Sequence, residues 1–268
     1  MDEKLTQLQK TLKATGIDAT SLGVLCQTPE ERLYGLTVRG SEAISVWTAL
    51  RENLHRIDHW PILVGQDEDT NNLRERVRSR LSVNLQSADA IDPEDWFEQR
   101  HQQFIEEIEE FGYREKNSSS EDEGKLFYGI PRGPWPEGKP ANPEFRIPLS
   151  LVKGKPLPKV HLVFVPTLVS WHVPAHLRFG GWNECPSDEE HAAIMKYWHE
   201  HFGAEVVGIT NDVVEMLVKR PPSTKNEALA LAREQYLYCQ DIVEQGTETL
   251  EALAWTLLGG RVWYFWWD

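Results

Sequence analysis

The sequence predicts an α+β fold, a mixed β-sheet flanked by helices with a C-terminal aromatic strand buried in the core. Three observations predict it. Short β-rich runs such as Trp60–Val64 and Val160–Val165 are interleaved with amphipathic stretches that carry helix caps. The chain ends Trp263-Tyr264-Phe265-Trp266-Trp267-Asp268, and so apolar an end must be buried, because frayed termini are polar. Finally, 268 residues, 40% of them hydrophobic and 11 of them Trp, are ample for a packed core.

Taken in order, Leu5, Leu8 and Leu12 fall at helical spacing, so residues 3–15 read as an amphipathic helix that stops before Gly16. Thr28-Pro29-Glu30-Glu31 reads as a capped turn and 33–38 as a short strand. Ser41 is placed as the N-cap of a helix through Ile44, Trp47, Leu50 and Leu54, and Trp60–Val64 as a buried strand ending at Gly65. A helix is expected over 71–81, whose basic run Arg74 to Arg80 reads as a solvated face. Asp92-Pro93 supplies a cap acceptor followed by a proline suited to a first turn, and Phe97, Phe104, Ile108 and Phe111 form the stripe of the helix that follows. Its other face is acidic. Residues 117–124 are expected to be disordered, and the proline-rich stretch 129–158 extended and turn-rich.

Beyond it, Val160–Val165 reads as a strand, and Ser187-Asp188-Glu189-Glu190 as a capping box opening a helix that buries Ile194, Trp198 and Phe202 before Gly203. Strands are expected at 205–209 and 213–218 around a turn at Asn211-Asp212. Thr224 to Glu227 is a second capping box, for a helix packing Leu229, Ala232, Tyr236, Cys239 and Val243; a shorter helix at 248–258 leads into the terminal strand. Ser41–Val64 and Ser187–Val207 share an order of cap, Trp-bearing helix, turn and buried strand, read as a common supersecondary form rather than a duplication. The organisation expected is an N-terminal helix/strand region (1–112), an acidic loop with a Pro-rich connector (113–156), and a C-terminal domain (157–268).

Gly-Gly-Trp-Asn-Glu-Cys-Pro at 180–186, His-Phe-Gly-Ala-Glu-Val-Val at 201–207, Glu-Gln-Tyr-Leu-Tyr-Cys-Gln-Asp at 234–241 and the terminal aromatic run put rare residues in a fixed order. From about Leu157 to Asp268 the chain resembles the bacterial family of the domain of unknown function 4253, and Leu50–Val64 is similar to the looser N-terminal part of such proteins. The resemblance implies a fold and a shared site; it carries no reaction.

A net charge of −14, with acid concentrated between Leu85 and Lys125, argues against nucleic-acid binding. No run approaches the roughly 20 apolar residues of a membrane span, and Met1–Lys4 opens no signal-peptide core. Three widely spaced Cys without a CxxC motif fit free thiols in a reducing compartment, so a cytoplasmic protein is expected. Neither a cofactor nor a metal is expected: phosphate-loop and dinucleotide patterns are missing, and His172-Val173-Pro174-Ala175-His176 is a poor zinc motif because Pro174 interrupts regular helix.

Two readings stand for the Gly180–Pro186 segment. In one, Gly180, Gly181, Trp182 and Asn183 form a ligand loop at a helix N-terminus, joined by Tyr238, with Cys185 a nucleophile served by His172, His176 or His191. In the other it is a tight turn that plugs Trp182 into the core. Glu234 and Asp241 read as an acid/base pair, as oxygen ligands for a divalent ion, for which roughly 10 Å along a helix is too far without partners, or as a hydrogen-bonded structural face. The leading functional expectation is a non-enzymatic, immunity-like interaction protein engaging a basic protein partner through Glu106, Glu107, Glu109 and Glu110. Its rivals are a hydrolase using Asn183, Cys185, Glu234, Asp241 and His172 in one cleft, or a small-ligand sensor at the Trp182 loop; oligomeric state is left open.

Overall fold

In the computed structural model, residues 2–28, 31–79, 85–111, 128–140, 144–150 and 152–268 are described. Their seven strands are β1 (Gly23–Gln27), β2 (Arg32–Val38), β3 (Trp60–Gly65), β4 (Val160–Val165), β5 (Ala204–Ile209), β6 (Val213–Val218) and β7 (Val262–Trp266). Every residue of β3 and of β5 is buried, the mark of strands covered on both faces, and these two run side by side as the parallel pair of the sheet. The remaining neighbours are antiparallel, giving one mixed sheet of order β1-β2-β4-β3-β5-β6-β7. Strands from before and after residue 157 therefore interleave in it. The fold is α+β, as the sequence predicts.

Among the described residues, seven helices of two turns or more pack around the sheet: α1 (Glu3–Ala14), α2 (Ala43–Glu52), α3 (Asp67–Ser79), α4 (Pro93–Phe111), α5 (Asp188–Phe202), α6 (Lys225–Tyr238) and α7 (Leu250–Leu257). Both expected capping boxes form, Ser187 with Glu190 and Thr224 with Glu227, and Gly203 ends α5 in a left-handed conformation at φ 62°. The indole N–H of Trp47 on α2 donates to the Pro61 carbonyl at 2.9 Å, and that of Trp60 to Val206 at 3.0 Å, tying α2 to β3 and β3 to β5. The aromatic terminus is a buried strand: Trp263, Phe265 and Trp267 point to the helices, and Phe265 stacks on Trp198 of α5 at 5.6 Å.

On the opposite face of β5–β7 lies a strap, residues 144–150 and 152–158, joined by a bridge between Leu149 and Pro156. Ile147 lies directly on Gly208 of β5, where a Cβ would stand only 2.3 Å from its Cδ1. Gly40 gives the strap a second seat and bonds the Leu157 carbonyl at 3.0 Å.

Several expectations need correction. Strand β1 was not anticipated. Ser41 does not cap α2: it lies in a 3-10 turn, Gly40–Glu42, and α2 has no side-chain cap. Helix α3 begins four residues before the expected 71, and α6 ends at Tyr238, where Cys239 turns extended, so Val243 belongs to a separate π-helical turn, Ile242–Thr247. Pro174 does not prevent helix, because it stands in the first turn of a short one, Val173–Leu177, where its missing N–H has no partner to lose. Residues 117–124 and the Pro29-Glu30 pair lie outside the described residues.

Candidate functional site

The Gly180–Pro186 segment is a tight turn. Gly180 and Gly181 have φ of 102° and 78°, and the Gly181 N–H donates to the Pro186 carbonyl at 2.9 Å. A Cβ on Gly180 would stand 2.0 Å from that carbonyl and 2.8 Å from the His191 ring. Glycine is needed here for close approach of the chain to itself. Trp182 is half-buried, edge-on to Phe179 with centroids 5.0 Å apart.

Behind the turn, Cys185, His191 and Tyr238 form a buried line. His191 Nε2 is 3.4 Å from Cys185 Sγ, and its Nδ1 is 2.5 Å from the Tyr238 hydroxyl. Rings of Phe179 and Trp267 enclose the imidazole at 5.1 and 5.4 Å. Burial, with the Arg76 charge nearby, pushes the His191 pKa down to about 3, and burial pushes the Tyr238 phenol well up. Both are neutral at neutral pH. A base that weak and that dry is poorly matched to deprotonating a thiol, and Cys185 is only 4% exposed.

The other sequence candidates go elsewhere. Asn183 Nδ2 donates to the Asp268 carbonyl at 2.7 Å, and the Asp268 N–H donates to Asp241 Oδ2 at 3.0 Å, so Asn183 and Asp241 clasp the same residue from two sides. Asp241 has left α6. Glu234 accepts from the Tyr197 hydroxyl at 3.1 Å and Trp198 Nε1 at 2.9 Å, and burial raises its pKa. His172, half-buried beside Trp171, has its pKa lowered by burial. His176 Nδ1 pairs with Glu31 at 2.7 Å. Glu106, Glu107, Glu109 and Glu110 all lie on the exposed side of α4, whose inner side buries Trp96, Phe97, Phe104 and Ile108.

A different place combines a cavity with convergent polar groups. At the carboxyl ends of the parallel strands β3 and β5 the chain diverges, into α3 on one side and the β5–β6 turn on the other. A cleft of about 660 Å³ opens there, the expected ligand position for such a switch point. Asp67, Glu68, Asp69 and Asp212 line it together with Lys159 and Arg146, with Ile147, Leu149 and Leu157 of the strap, and with the Tyr264 and Trp266 rings. Asp67 accepts from Lys159 Nζ at 2.5 Å and His161 Nε2 at 2.7 Å, which hold its carboxyl below the usual range. Asp69 is pushed up by burial, although it accepts the Gln66 N–H at 2.8 Å and interacts with that of Asn211. Burial beside Glu215 and Asp212 lifts the Tyr264 phenol to about 12. Of these residues the sequence reading marked only Tyr264 and Trp266, in the terminal aromatic run, and Asp212, in the expected turn. Among the described residues no group of three or more His, Cys, Asp or Glu is arranged to hold a metal ion, and no helix is long and apolar enough to cross a membrane.

Residues 161–268 match the model of a family described as a domain of unknown function (DUF4253), and this C-terminal part of the chain belongs to that family. No curated protein and no solved structure matches the chain.

Proposed function

We propose that this chain, with its DUF4253 domain, is a binding protein rather than a hydrolase, and that it holds a small molecule of mixed polarity in the cleft between β3 and β5. The observation that carries the reading is the cleft itself: about 660 Å³ lined by carboxylates, by Lys159 and Arg146, and by aliphatic and aromatic groups. That lining suits a ligand with hydrogen-bond donors at one end and a flat or apolar part to lie against Tyr264 and Trp266. The hydrolase reading loses its support at Cys185, whose neighbouring imidazole titrates near 3 in a dry surround. Three buried thiols fit the reducing cytoplasm we assign to it.

The test is ligand capture with a blocked control. Protein purified gently from its own host, or screened against a metabolite collection by thermal shift, is expected to show a bound small molecule. Leu149→Trp, which fills the mouth from the strap, is expected to remove that signal without lowering the ligand-free melting temperature. Binding that survives the filled mouth would sink the reading.

A second reading rests on α4, whose four exposed glutamates present a carboxylate face suited to a basic protein. Replacing all four by Gln is expected to abolish salt-sensitive binding of a lysine-rich protein and to leave stability unchanged. If binding persists, the face serves solubility alone.

A further inference from the structure

A buried carboxylate ordinarily keeps a cationic side chain bonded to it. Glu205 on β5 does, held by Arg51 and Lys219. Glu215, in the middle of β6 and fully buried, does not. Its oxygens are taken by backbone of the strap: Oε1 accepts the N–H of Arg146, and Oε2 that of Ile147 at 3.2 Å. The two donors belong to no strand or helix, so this one carboxyl supplies the bonds that fix them to the sheet. Ile147 is seated on Gly208, the residue opposite Glu215 on β5, and both bonded residues wall the cleft.

The charged and titratable groups around Glu215 are few. On the strap is Arg146, whose exposed guanidinium makes no ion pair with it; opposite on β7 is the Tyr264 phenol, neutral across the physiological range; at the rim on the β5–β6 turn is Asp212. None offers a bonded countercharge. An ionised carboxylate so placed regains the hydration that burial denies it when the strap lifts, whereas a protonated one regains far less.

We propose that Glu215 is a proton-operated latch: protonated, it keeps the strap seated over the cleft, and ionised, it favours release of the strap to water, so that the cleft opens as the pH rises toward neutrality. The latch rests on the ligand-binding reading of the cleft. Burial outweighs the two N–H bonds and pushes the Glu215 carboxyl from its ordinary 4.5 to about 7 while the strap is closed. With the strap lifted the carboxyl meets water and returns toward 4.5. The closed form therefore binds the proton more tightly, protons favour closure, and the effect is confined to the window between those two values.

The experiment is amide hydrogen exchange at Arg146 and Ile147 in the ligand-free full chain, corrected for intrinsic rates. The opening constant is expected to rise about tenfold per pH unit up to about pH 7 and to level off above it. In Glu215→Gln the same amides are expected to open independently of pH. A flat profile in the native protein, or an unchanged slope in the variant, would overturn the latch. Should the variant not fold, a carbon-NMR titration of the native Glu215 carboxyl decides: a midpoint near 7 supports the latch, and one near the ordinary 4.5 removes it. A flat strap over a cleft that still takes a ligand would remove the latch alone. A pH-responsive strap over a cleft that takes nothing would remove only the ligand reading.

Discussion

The Cys185–His191–Tyr238 cluster and the cleft at the ends of β3 and β5 lie on opposite faces of one sheet, and they handle polar groups in opposite ways. Along β7 and the residue after it the side chains alternate between them: Phe265 and Trp267 face the cluster, Tyr264 and Trp266 the cleft. The cluster is dry, its polar atoms are satisfied by one another, and its glycines are there to let backbone meet backbone. The cleft is open, its rim is charged, and its strap is held by a handful of bonds. Rare residues in a fixed order mark the first; the second takes Tyr264 and Trp266 from the terminal aromatic run and otherwise joins ordinary residues by topology. A distinctive sequence motif can thus be a packing solution, while a cleft is assembled largely from residues that no motif marks.

The largest expected effect breaks the cluster. Gly180→Ala forces a side chain onto the Pro186 carbonyl at a backbone angle that L-residues avoid, and should cost about 3 kcal/mol or more in urea unfolding. A loss under about 1 kcal/mol would mean the turn is soft. Next in size is a pH effect. The unfolded chain protonates His191 below about 6.5, the folded chain only near 3, so the unfolded state binds more protons in between and stability falls with pH through that window. From neutrality to pH 5 this amounts to about 2 kcal/mol, and His191→Gln should remove that share of the slope. An unchanged slope would show the imidazole to be wetter than its surroundings imply. The smallest effect sharpens the contrast: Asp67→Asn breaks exposed pairs with Lys159 and His161 at the cleft, and should change stability by less than about 1 kcal/mol while altering ligand affinity. A large loss of stability there would make the rim structural after all.

Much of the architecture was legible because its signals are local. Capping boxes at Ser187 and Thr224, Gly203 after α5 and the apolar runs of β3 and β4 each fix an element within a few residues. Strand β1 was not, since Gly23–Gln27 is short and half exposed, with Val24 open to solvent. Helix α6 was overextended because Cys239 and Val243 continue its apolar spacing although the chain turns extended at Cys239. Of the site candidates, Cys185, His191 and Tyr238 were within reach of motif reading, but whether such a line is reactive depends on burial, which sequence does not state. The cleft draws on segments near residues 65, 146, 210 and 264, and nothing local joins them. One signal was available: Glu215 in Val-Val-Glu-Met-Leu-Val, a charge in an otherwise apolar strand.

The position of β3 has a consequence for how this chain can be divided. The family match begins at His161, inside β4, yet β4 reaches β5 only through β3, which is encoded far upstream. Cut at that boundary, the downstream fragment would hold β4 and the β5–β7 ribbon with a strand-wide gap between them, and each would present a bare edge. The upstream fragment carries the missing piece. The two are thus complementing halves, suited to a split reporter in which only reunion closes the sheet.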